Sequence, residues 1–332
     1  PRLSRSPARD LWGKGRARGR RELPVVMTCL QPVGQREPGC WGGLQMHGGA
    51  ASGGEGDARE SPGRGVPGES SGELRYVRVE FAGGADGGAA ILLSEVGGGT
   101  VLENVQVHAS QGKGFHFRGG SVSCRRCVAS AAGQSGVFWE AGWQGSLQHL
   151  YVQQVDADSS ALHGVGGPEP AAGPALWNAT LVGGPFGTGQ HAGSGIRLEG
   201  AGAFTARNVV ATGFRGHGVS ASGTAAESLA SGASSVANSI FHLNLAGAAS
   251  PQAVPHVESL LRLPRLLNVR REPNPDPRPR SGSAALVPEH AAAPPFGGLL
   301  SSEAGYVGGF GRDNWLEEWT WLGGEEFYRA EE

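Results

Sequence analysis

The stretch from Gly99 to Val155 repeats one short phrase, and this repetition is the feature that most constrains the fold. It reads GTVLENVQVHAS, then GSVSCRRCVAS, then GSLQHLYVQQV, and each phrase opens with Gly-Thr or Gly-Ser. Apolar residues then occupy every second position, which is typical of a β-strand with one buried face. Because the phrase returns after little more than twenty residues, it predicts a solenoid built from stacked copies of one unit.

The repeat extends beyond this stretch in both directions. We chose one equivalent anchor residue in each copy, and successive anchors are 28, 22, 23, 29, 30 and 31 residues apart. The anchors are Val77, Val105, Cys127, Leu150, Ala179, Val209 and Ile240. The shortest steps match one turn of a parallel β-helix with three short strands. The sequence therefore predicts an all-β fold, a right-handed parallel β-helix over residues 23–250, with the anchors stacked inside.

The longer steps require loops that leave the solenoid and return to it. Gly, Ala, Ser and Pro are concentrated at four places within the repeat, and such residues are typical of loops. The predicted insertions are Ala82–Gly88, Gly164–Gly173, Gly183–Gly193 and Ala221–Gly232, and Gly48–Gly72 is predicted as a further surface excursion. The glycine content agrees, because 58 of the 332 residues are Gly and many short strands need many tight turns.

Asparagine recurs immediately before the anchor in three copies, at Asn104, Asn178 and Asn208. Stacked asparagine side chains can hydrogen-bond to one another and to the backbone as a ladder. Asparagine also tolerates the left-handed backbone conformation that a tight corner needs. The sequence leaves both interpretations open.

The two ends of the chain differ from the repeat. Residues 1–22 are rich in Arg and lack periodic apolar positions, so we expect a disordered lead-in outside the solenoid. Residues 251–332 contain a proline-rich stretch, expected to run extended, and the aromatic stretch Tyr306–Trp321. We expect this aromatic stretch to pack on the solenoid, with a sugar-stacking surface as the alternative. Since the sequence begins with Pro, we expect the native N-terminus to lie upstream, with any signal peptide.

The charge and the cysteines exclude several classes of function. The net charge is −2 and no basic face is evident, so we expect no nucleic-acid partner. No apolar run is long enough to predict a membrane span. Cys124 and Cys127 lack the second pair that a zinc site needs, and we interpret them as strand residues that point to opposite faces. A Cys29–Cys40 disulfide is one of several pairings that remain open.

Five phrases carry a resemblance to a known family. They are VVMTCLQPVGQREPGCWGGL, GELRYVRVEFAGG, GGGTVLENVQVHASQGKGFHFRGGSVSCRRCVAS, NPDPRPRSGSAAL and AGYVGGFGRDNW. The chain resembles the parallel β-helix proteins of bacterial cell surfaces and secreted lipoproteins, whose fold is that of the pectin-lyase superfamily. The resemblance covers Leu23 to Leu322. It implies a secreted or cell-surface location, with polysaccharide or cell-envelope components as partners.

The chain departs from that family in its acidic residues. Members carry acids around the phrases that match Gln111–Phe117 and Gln134–Glu140, and Glu140 is the acidic residue left in them here. The resemblance therefore implies a weak cation site at most. We predict neither a metal site nor a cofactor.

Several residues remain as candidates for chemistry or binding. Asp156 and Asp158 could serve as acid and nucleophile, with Lys113 as a base, and the alternative is a solvated turn. Lys113 could also join Arg118, Arg125 and Arg126 in a basic stripe that binds acidic glycans, and the alternative is ordinary solvated charge. Trp143 is a further candidate for contact with a glycan.

We therefore predict a secreted or cell-surface β-helix protein without catalysis, with a structural, adhesive or glycan-binding role. The alternative is a polysaccharide lyase or glycoside hydrolase on the same scaffold. The fold cannot choose between them, because function depends on the site. The shortage of acids in the repeats favours the first.

Overall fold

The computed structural model describes most of the chain, including the strands of its central repeats. It covers residues 9–11, 14–48, 68–84, 88–166, 173–184, 192–200, 202–253, 255, 257–260, 266–268, 275–295, 300 and 304–323. The predicted loops at Ala82–Gly88, Gly164–Gly173 and Gly183–Gly193 lie partly outside the described residues, and most of Gly48–Gly72 does too. The predicted loop Ala221–Gly232 contains a short helix, α1 (Thr224–Ala230).

Short strands follow one another with little other regular structure between them. In chain order they are β1 (Arg9–Leu11), β2 (Gly15–Arg18), β3 (Val25–Met27), β4 (Leu44–His47), β5 (Gly72–Glu80), β6 (Ala89–Ser94), β7 (Val101–His108), β8 (Lys113–Arg118), β9 (Ser123–Ser130), β10 (Val137–Glu140), β11 (Ser146–Gln153), β12 (Leu162–Val165), β13 (Ala175–Val182), β14 (Ile196–Glu199), β15 (Thr205–Thr212), β16 (Val219–Ala221), β17 (Ser235–His242), β18 (Val257–Ser259), β19 (Leu266–Asn268) and β20 (Asp276–Pro279).

Strands β1 to β18 form two parallel sheets that wind into a right-handed β-helix, as the repeat predicts. The eight-stranded sheet has the order β1-β4-β6-β8-β10-β12-β14-β16. The ten-stranded sheet runs β18-β17-β15-β13-β11-β9-β7-β5-β2, with β3 also paired to β5. Each coil contributes one strand to each sheet, so every backbone group in a strand finds its partner in the coil before or after it. Inward side chains such as Val77, Val105 and Cys127 then stack in register in one core.

The long strands of the ten-stranded sheet bend at a corner, and one residue with positive φ occupies that corner in each coil. These corner residues, at φ between 48° and 57°, are Tyr76, Asn104, Arg126, His149, Asn178, Asn208 and Asn238. The three predicted asparagines therefore all adopt the left-handed conformation. The amide groups of Asn178 and Asn208 also donate hydrogen bonds to the C-terminal part of the chain.

The corner changes which side chains face the core. On a straight strand, residues three apart point to opposite faces. The bend at Arg126 instead turns both Cys124 and Cys127 inward, where they are buried and joined as a disulfide. The prediction that they point to opposite faces was wrong. Cys29 and Cys40 form a second disulfide, with Cα atoms 5.9 Å apart.

One anchor residue was misplaced by a single position. Ile240 pairs with Val210, not with Val209, and Ser239 is the residue whose hydroxyl accepts from the Val209 N–H. Ile240 is buried, but outside the solenoid, under the C-terminal part of the chain with Val307. The prediction failed because Asn238 occupies the corner of this coil. The inward position that follows the corner is therefore Ser239 and not Ile240.

The basic lead-in is part of the solenoid where the structure describes it. Strand β2 pairs with β5 in register, and Ala17 packs against the core. Arg18 points outward and pairs with Glu73. The strand escaped prediction because its inward positions are Gly15 and Ala17, which carry almost no apolar surface. The expectation of disorder is therefore corrected for residues 9–11 and 14–22.

The C-terminal segment, residues 304–323, packs on the outside of the ten-stranded sheet. Phe310, Leu316 and Trp319 form a second buried cluster with sheet residues that include Val128 and Tyr151. The segment is also hydrogen-bonded to the solenoid. The N–H of Gly309 donates to Thr180 Oγ1 at 2.9 Å, and the N–H of Trp321 donates to Gln106 Oε1 at 2.7 Å.

The proline-rich stretch runs extended, as expected, but it also pairs. Strand β20 lies antiparallel to β19, with Asn268 opposite Asp276 and Leu266 opposite Pro279. A proline can take part in such a pair through its carbonyl, although it has no N–H to donate. Helices are short throughout the described residues, and none of them is long and apolar enough to cross a membrane.

Candidate functional site

The outward side of the eight-stranded sheet carries a row of polar and aromatic side chains, which we call the outer face. In β8, Phe115 and Phe117 point into the core, so His116 and Arg118 point out. Strand register aligns one outward residue from each of four successive strands into one row. That row is His116, Phe138, His163 and Arg197. Neighbouring members are separated by about 4.8 Å, the spacing of paired strands.

Phe138 holds the centre of this row between two histidines. Its ring centroid is 5.0 Å from that of His116 and 5.1 Å from that of His163, both edge-on. The ammonium of Lys113 lies 4.9 Å from the same centroid. These contacts leave Phe138 only 9% exposed. The ring therefore acts mainly as a spacer that fixes the two imidazoles.

Each of the two histidines is hydrogen-bonded to a glutamate at the end of the next strand. His116 Nε2 is 2.9 Å from Glu140 Oε1, and His163 Nε2 is 3.0 Å from Glu199 Oε2. Arg197 adds a bond from its Nε to Glu199 Oε1 at 2.8 Å. The outer face thus presents two His–Glu pairs at fixed positions two strands apart.

Burial and charge set the protonation of these groups. Burial lowers the pKa of His116 below its usual value, and the nearby Glu140 carboxylate only partly opposes this. Burial raises the pKa of Glu199, but hydrogen bonds from His163 and Arg197 outweigh that effect and hold the pKa below its usual range. At neutral pH, His116 is therefore neutral and Glu199 is a carboxylate.

The predicted basic stripe is divided between two surfaces. Lys113 and Arg118 lie on β8 at the outer face, and Arg118 is exposed. Arg125 and Arg126 lie on β9 in the other sheet, where Arg125 donates from Nε to Glu103 Oε1 at 3.0 Å. The four cations do not form one stripe, because neighbouring positions along the chain belong to different faces of the coil.

Trp143 was wrongly taken as a glycan contact. It is 1% exposed, and its ring stacks on Phe117 with centroids 4.2 Å apart. Its indole N–H donates to the Val122 carbonyl at 2.9 Å. Trp143 therefore fills the core, with its polar atom satisfied by backbone.

Asp156 and Asp158 lie in a turn and not on one face of a strand. The Asp156 carboxylate accepts from the Asp158 N–H at 2.9 Å, which closes the turn. Asp158 pairs with Arg215 at 3.0 Å. Both carboxylates are engaged in structural contacts, so the alternative of a structural turn fits this geometry better than an acid and nucleophile pair.

The sequence contains a signal for the outer face that the anchor alignment does not reveal. Each outward residue is the middle of a triplet whose outer members are buried, as in Phe115-His116-Phe117 and Ile196-Arg197-Leu198. Aligning those triplets instead of the anchors would have brought the row together. The two phrases from which acids are missing also meet here, because Gln111–Phe117 and Gln134–Glu140 lead into the adjacent strands β8 and β10.

Within the described ranges, no three His, Cys, Asp or Glu side chains gather as a metal site.

Comparison with known proteins bears on the fold. A family model described as a pectate-lyase like β-helix domain matches residues 12–258. The match begins before β2, in agreement with the position of that strand inside the solenoid. No curated protein and no solved structure matches significantly.

Proposed function

Because the chain belongs to the pectate-lyase-like β-helix family, we propose that it is a secreted or cell-surface protein that binds a polysaccharide along its outer face without cleaving it. The observation that carries this proposal is the register of His116, Phe138, His163 and Arg197 in one row, flanked by Glu140 and Glu199. A polysaccharide is itself a periodic ligand, and a periodic row of polar groups is a suitable surface for one.

The outer face is prearranged for hydrogen bonds to sugar hydroxyls. Glu199 is held by both His163 and Arg197, so its orientation is set before a ligand arrives. Groups that are fixed in advance lose less conformational entropy on binding than free side chains do. Arg118 and Arg197 at the rim remain exposed and can reach a ligand.

The ionised state of Glu199 suits it to accept hydrogen bonds from sugar hydroxyls and excludes it as the general acid of a glycosidase. A general acid for glycoside hydrolysis needs a raised pKa so that it carries a proton at neutral pH. The pKa of Glu199 is instead lowered by its two hydrogen-bond donors. A permanently ionised carboxylate accepts hydrogen bonds from hydroxyls and does not protonate a leaving group.

One observation favours a second candidate, a glycoside hydrolase. Glu140 and Glu199 lie two strands apart on the same side of the sheet. At about 4.8 Å for each strand, their backbones are roughly 10 Å apart, near the separation of the two carboxylates in inverting enzymes. In such a hydrolase Glu140 would be the acid and Glu199 the base.

A binding and cleavage screen separates the two functions. Purified protein is titrated with neutral and acidic oligosaccharides, and released reducing ends are measured in parallel. We expect saturable binding without release, and an affinity about tenfold lower in Glu199→Gln, which loses charge-assisted hydrogen bonds. Glu227→Gln, an exposed change on α1, serves as the matched control. Release of reducing ends that disappears in both Glu140→Gln and Glu199→Gln would establish the hydrolase instead.

A further inference from the structure

A second concave surface lies between the ten-stranded sheet and the C-terminal segment, and we call it the corner groove. Its volume is about 710 Å³. The corner residues Tyr76, Asn104, Arg126 and His149 line one side, and the stretch from Gly311 to Trp315 lines the other. This volume lies within the range of pockets that hold small organic ligands.

We propose that the corner groove binds an anionic sugar, whose carboxylate or sulfate group is held at Arg125 and Arg126 and whose ring lies against Trp315. The site shares no residue with the outer face. It is therefore a separate inference, and it stands or falls independently of the function proposed above.

Positive charge is in excess in the arginine cluster that includes the groove residues Arg125 and Arg126. Four guanidinium groups there share two carboxylates: Arg18, Arg75, Arg125 and Arg126 are paired with Glu73 and Glu103. Glu103 alone is approached by three of the four. The cluster therefore carries two more positive than negative charges.

Arg126 is the member of this group best placed to receive a ligand. Its Nη1 is 3.6 Å from Glu103 Oε1, longer than a hydrogen bond, and its side chain is 39% exposed. It projects from a corner with φ of 53°, next to His149 in the adjacent coil. An arginine fork suits the two oxygens of a carboxylate or sulfate.

Arg278 also lines the groove, but its charge is balanced. Arg278 is bound to Asp276 through Nε and Nη2, both at 2.8 Å. The hydrogen bond to Asp276 is the main cause of the raised pKa of Arg278, and the charges of Glu317 and Asp313 add to it. An acidic group therefore gains more at Arg126 than at Arg278.

His149 lies beside these arginines in the wall of the groove. Burial, followed by the charge of Arg126, lowers its pKa to about 4. Its Nδ1 lies 3.2 Å from the hydroxyl of Tyr306, which ties the corner to the C-terminal segment. The imidazole is thus neutral at pH 7 and contributes a polar, uncharged wall beside the arginines.

The aromatic wall supplies the contact for a sugar ring. Trp315 is half-buried and stacks on Phe310, with centroids 4.9 Å apart and ring planes 9° apart. Its indole N–H donates to the Gly309 carbonyl at 2.8 Å, which fixes the ring. A rigid aromatic surface beside an exposed guanidinium can contact the apolar side of a sugar while the acid group is paired.

Calorimetric titration of the full chain tests the site. The probes are a hexagalacturonate, a sulfated hexasaccharide and neutral maltohexaose, so the charged arms distinguish carboxylate from sulfate. We expect at least one charged probe to bind about tenfold more tightly than the neutral one, and affinity to fall as NaCl rises from about 50 to about 300 mM. Arg126→Gln should weaken that binding about tenfold.

Two further variants serve as a second test of the groove and as a control for the loss of a surface charge. Arg312→Gln removes a groove charge from an exposed loop, and it should weaken binding in the same direction. Arg16→Gln removes an exposed charge from β2 and should leave binding unchanged. Equal affinity of charged and neutral probes, or unchanged binding in both Arg126→Gln and Arg312→Gln, would overturn the proposal. Loss of charged-probe binding in Glu199→Gln alone would assign it to the outer face and overturn it too.

Discussion

Asn208 and Ala292 exchange two hydrogen bonds across 84 residues of sequence. The Asn208 Nδ2 donates to the Ala292 carbonyl at 2.8 Å, and the Ala292 N–H donates to Asn208 Oδ1 at 2.8 Å. Two other corner asparagines each donate one such hydrogen bond from Nδ2. Asn178 donates to the Tyr306 carbonyl, and Asn238 donates to the His290 carbonyl. The corner asparagines therefore have two roles, since they permit the left-handed turn and dock the chain that follows the solenoid.

The two hydrogen bonds between Asn208 and Ala292 can be removed without straining the corner. Asn208→Gly keeps a residue that tolerates φ of 57° and deletes both hydrogen bonds. We expect the free energy of unfolding to fall by about 1–3 kcal/mol, because the backbone groups of Ala292 lose their partners. Hydrogen exchange at residues 284–295 should accelerate. Asn104→Gly is the matched control, and an equal loss of stability there would show that the corner conformation alone matters.

Val105 tests the register of the core. It is 0% exposed and stacks between Val77 and Cys127. Val105→Asp places a carboxylate among apolar side chains, which should cost about 3 kcal/mol or more. Chemical denaturation measures the change. Gln45→Asp on the outward side of β4 should be tolerated, and similar losses in the two variants would contradict this assignment of inward and outward positions.

Two buried histidines predict that stability falls in mild acid. Burial lowers the pKa of His108 to about 3 and that of His149 to about 4, both below the usual histidine value of 6.5. Below pH 6.5 these histidines therefore bind protons in the unfolded chain but not in the folded chain. The free energy of unfolding is highest above pH 6.5 and declines below it. Tm should drop steadily between pH 6.5 and about 5.

A variant isolates the contribution of one of these histidines. His149→Asn suits the φ of 56° and removes the titrating group, so the decline of Tm with pH should become shallower. The positive charge of Arg126 contributes to the lowered pKa of His149. Arg126→Gln should therefore raise the pKa of His149 towards 6.5, which an NMR titration of the imidazole measures. An unchanged titration curve would remove Arg126 as a cause.

Removing the C-terminal segment should expose the sheet beneath it. Deletion of everything after Leu300 uncovers Val128, Tyr151 and Val182, which are at most 1% exposed in the intact chain. We expect a lower Tm and self-association, since contiguous apolar surface of this kind is rare on soluble monomers. Light scattering and thermal melting measure both effects. A truncated chain that stays monomeric and equally stable would show that the segment does not protect the sheet.

The sequence revealed the fold because the repeat appears in nearly every coil. Alternating apolar residues and short, similar steps suffice to predict stacked strands, and Val77, Val105 and Val209 are stacked as expected. The predicted directions of individual side chains were wrong where the backbone of one coil departs from strict alternation. At Arg126 the left-handed corner turns Cys124 and Cys127 to the same side, and no alternation rule anticipates this.

The candidate sites were harder to predict than the fold because they depend on pairing between coils. Arg118 and Arg125 are seven positions apart but lie on different sheets, whereas His116 and Glu140 are far apart in sequence and share a hydrogen bond. The aromatic character of Trp143 said nothing about its direction, since core and surface both use tryptophan. Such relations emerge only once the register between strands is known.

The docking of the C-terminal segment has a consequence for how the protein is made. Trp321, near the end of the described chain, donates its N–H to Gln106, 215 residues earlier. On the ribosome, coils can stack as they emerge, because each contacts mainly its neighbour. The sheet around Val128 and Tyr151 must nevertheless wait, with its apolar side open, until translation reaches Phe310 and Trp319. The nascent solenoid is thus most vulnerable to aggregation and to chaperone capture until residues 304–323 have emerged, and the docking of Phe310 and Trp319 ends that interval.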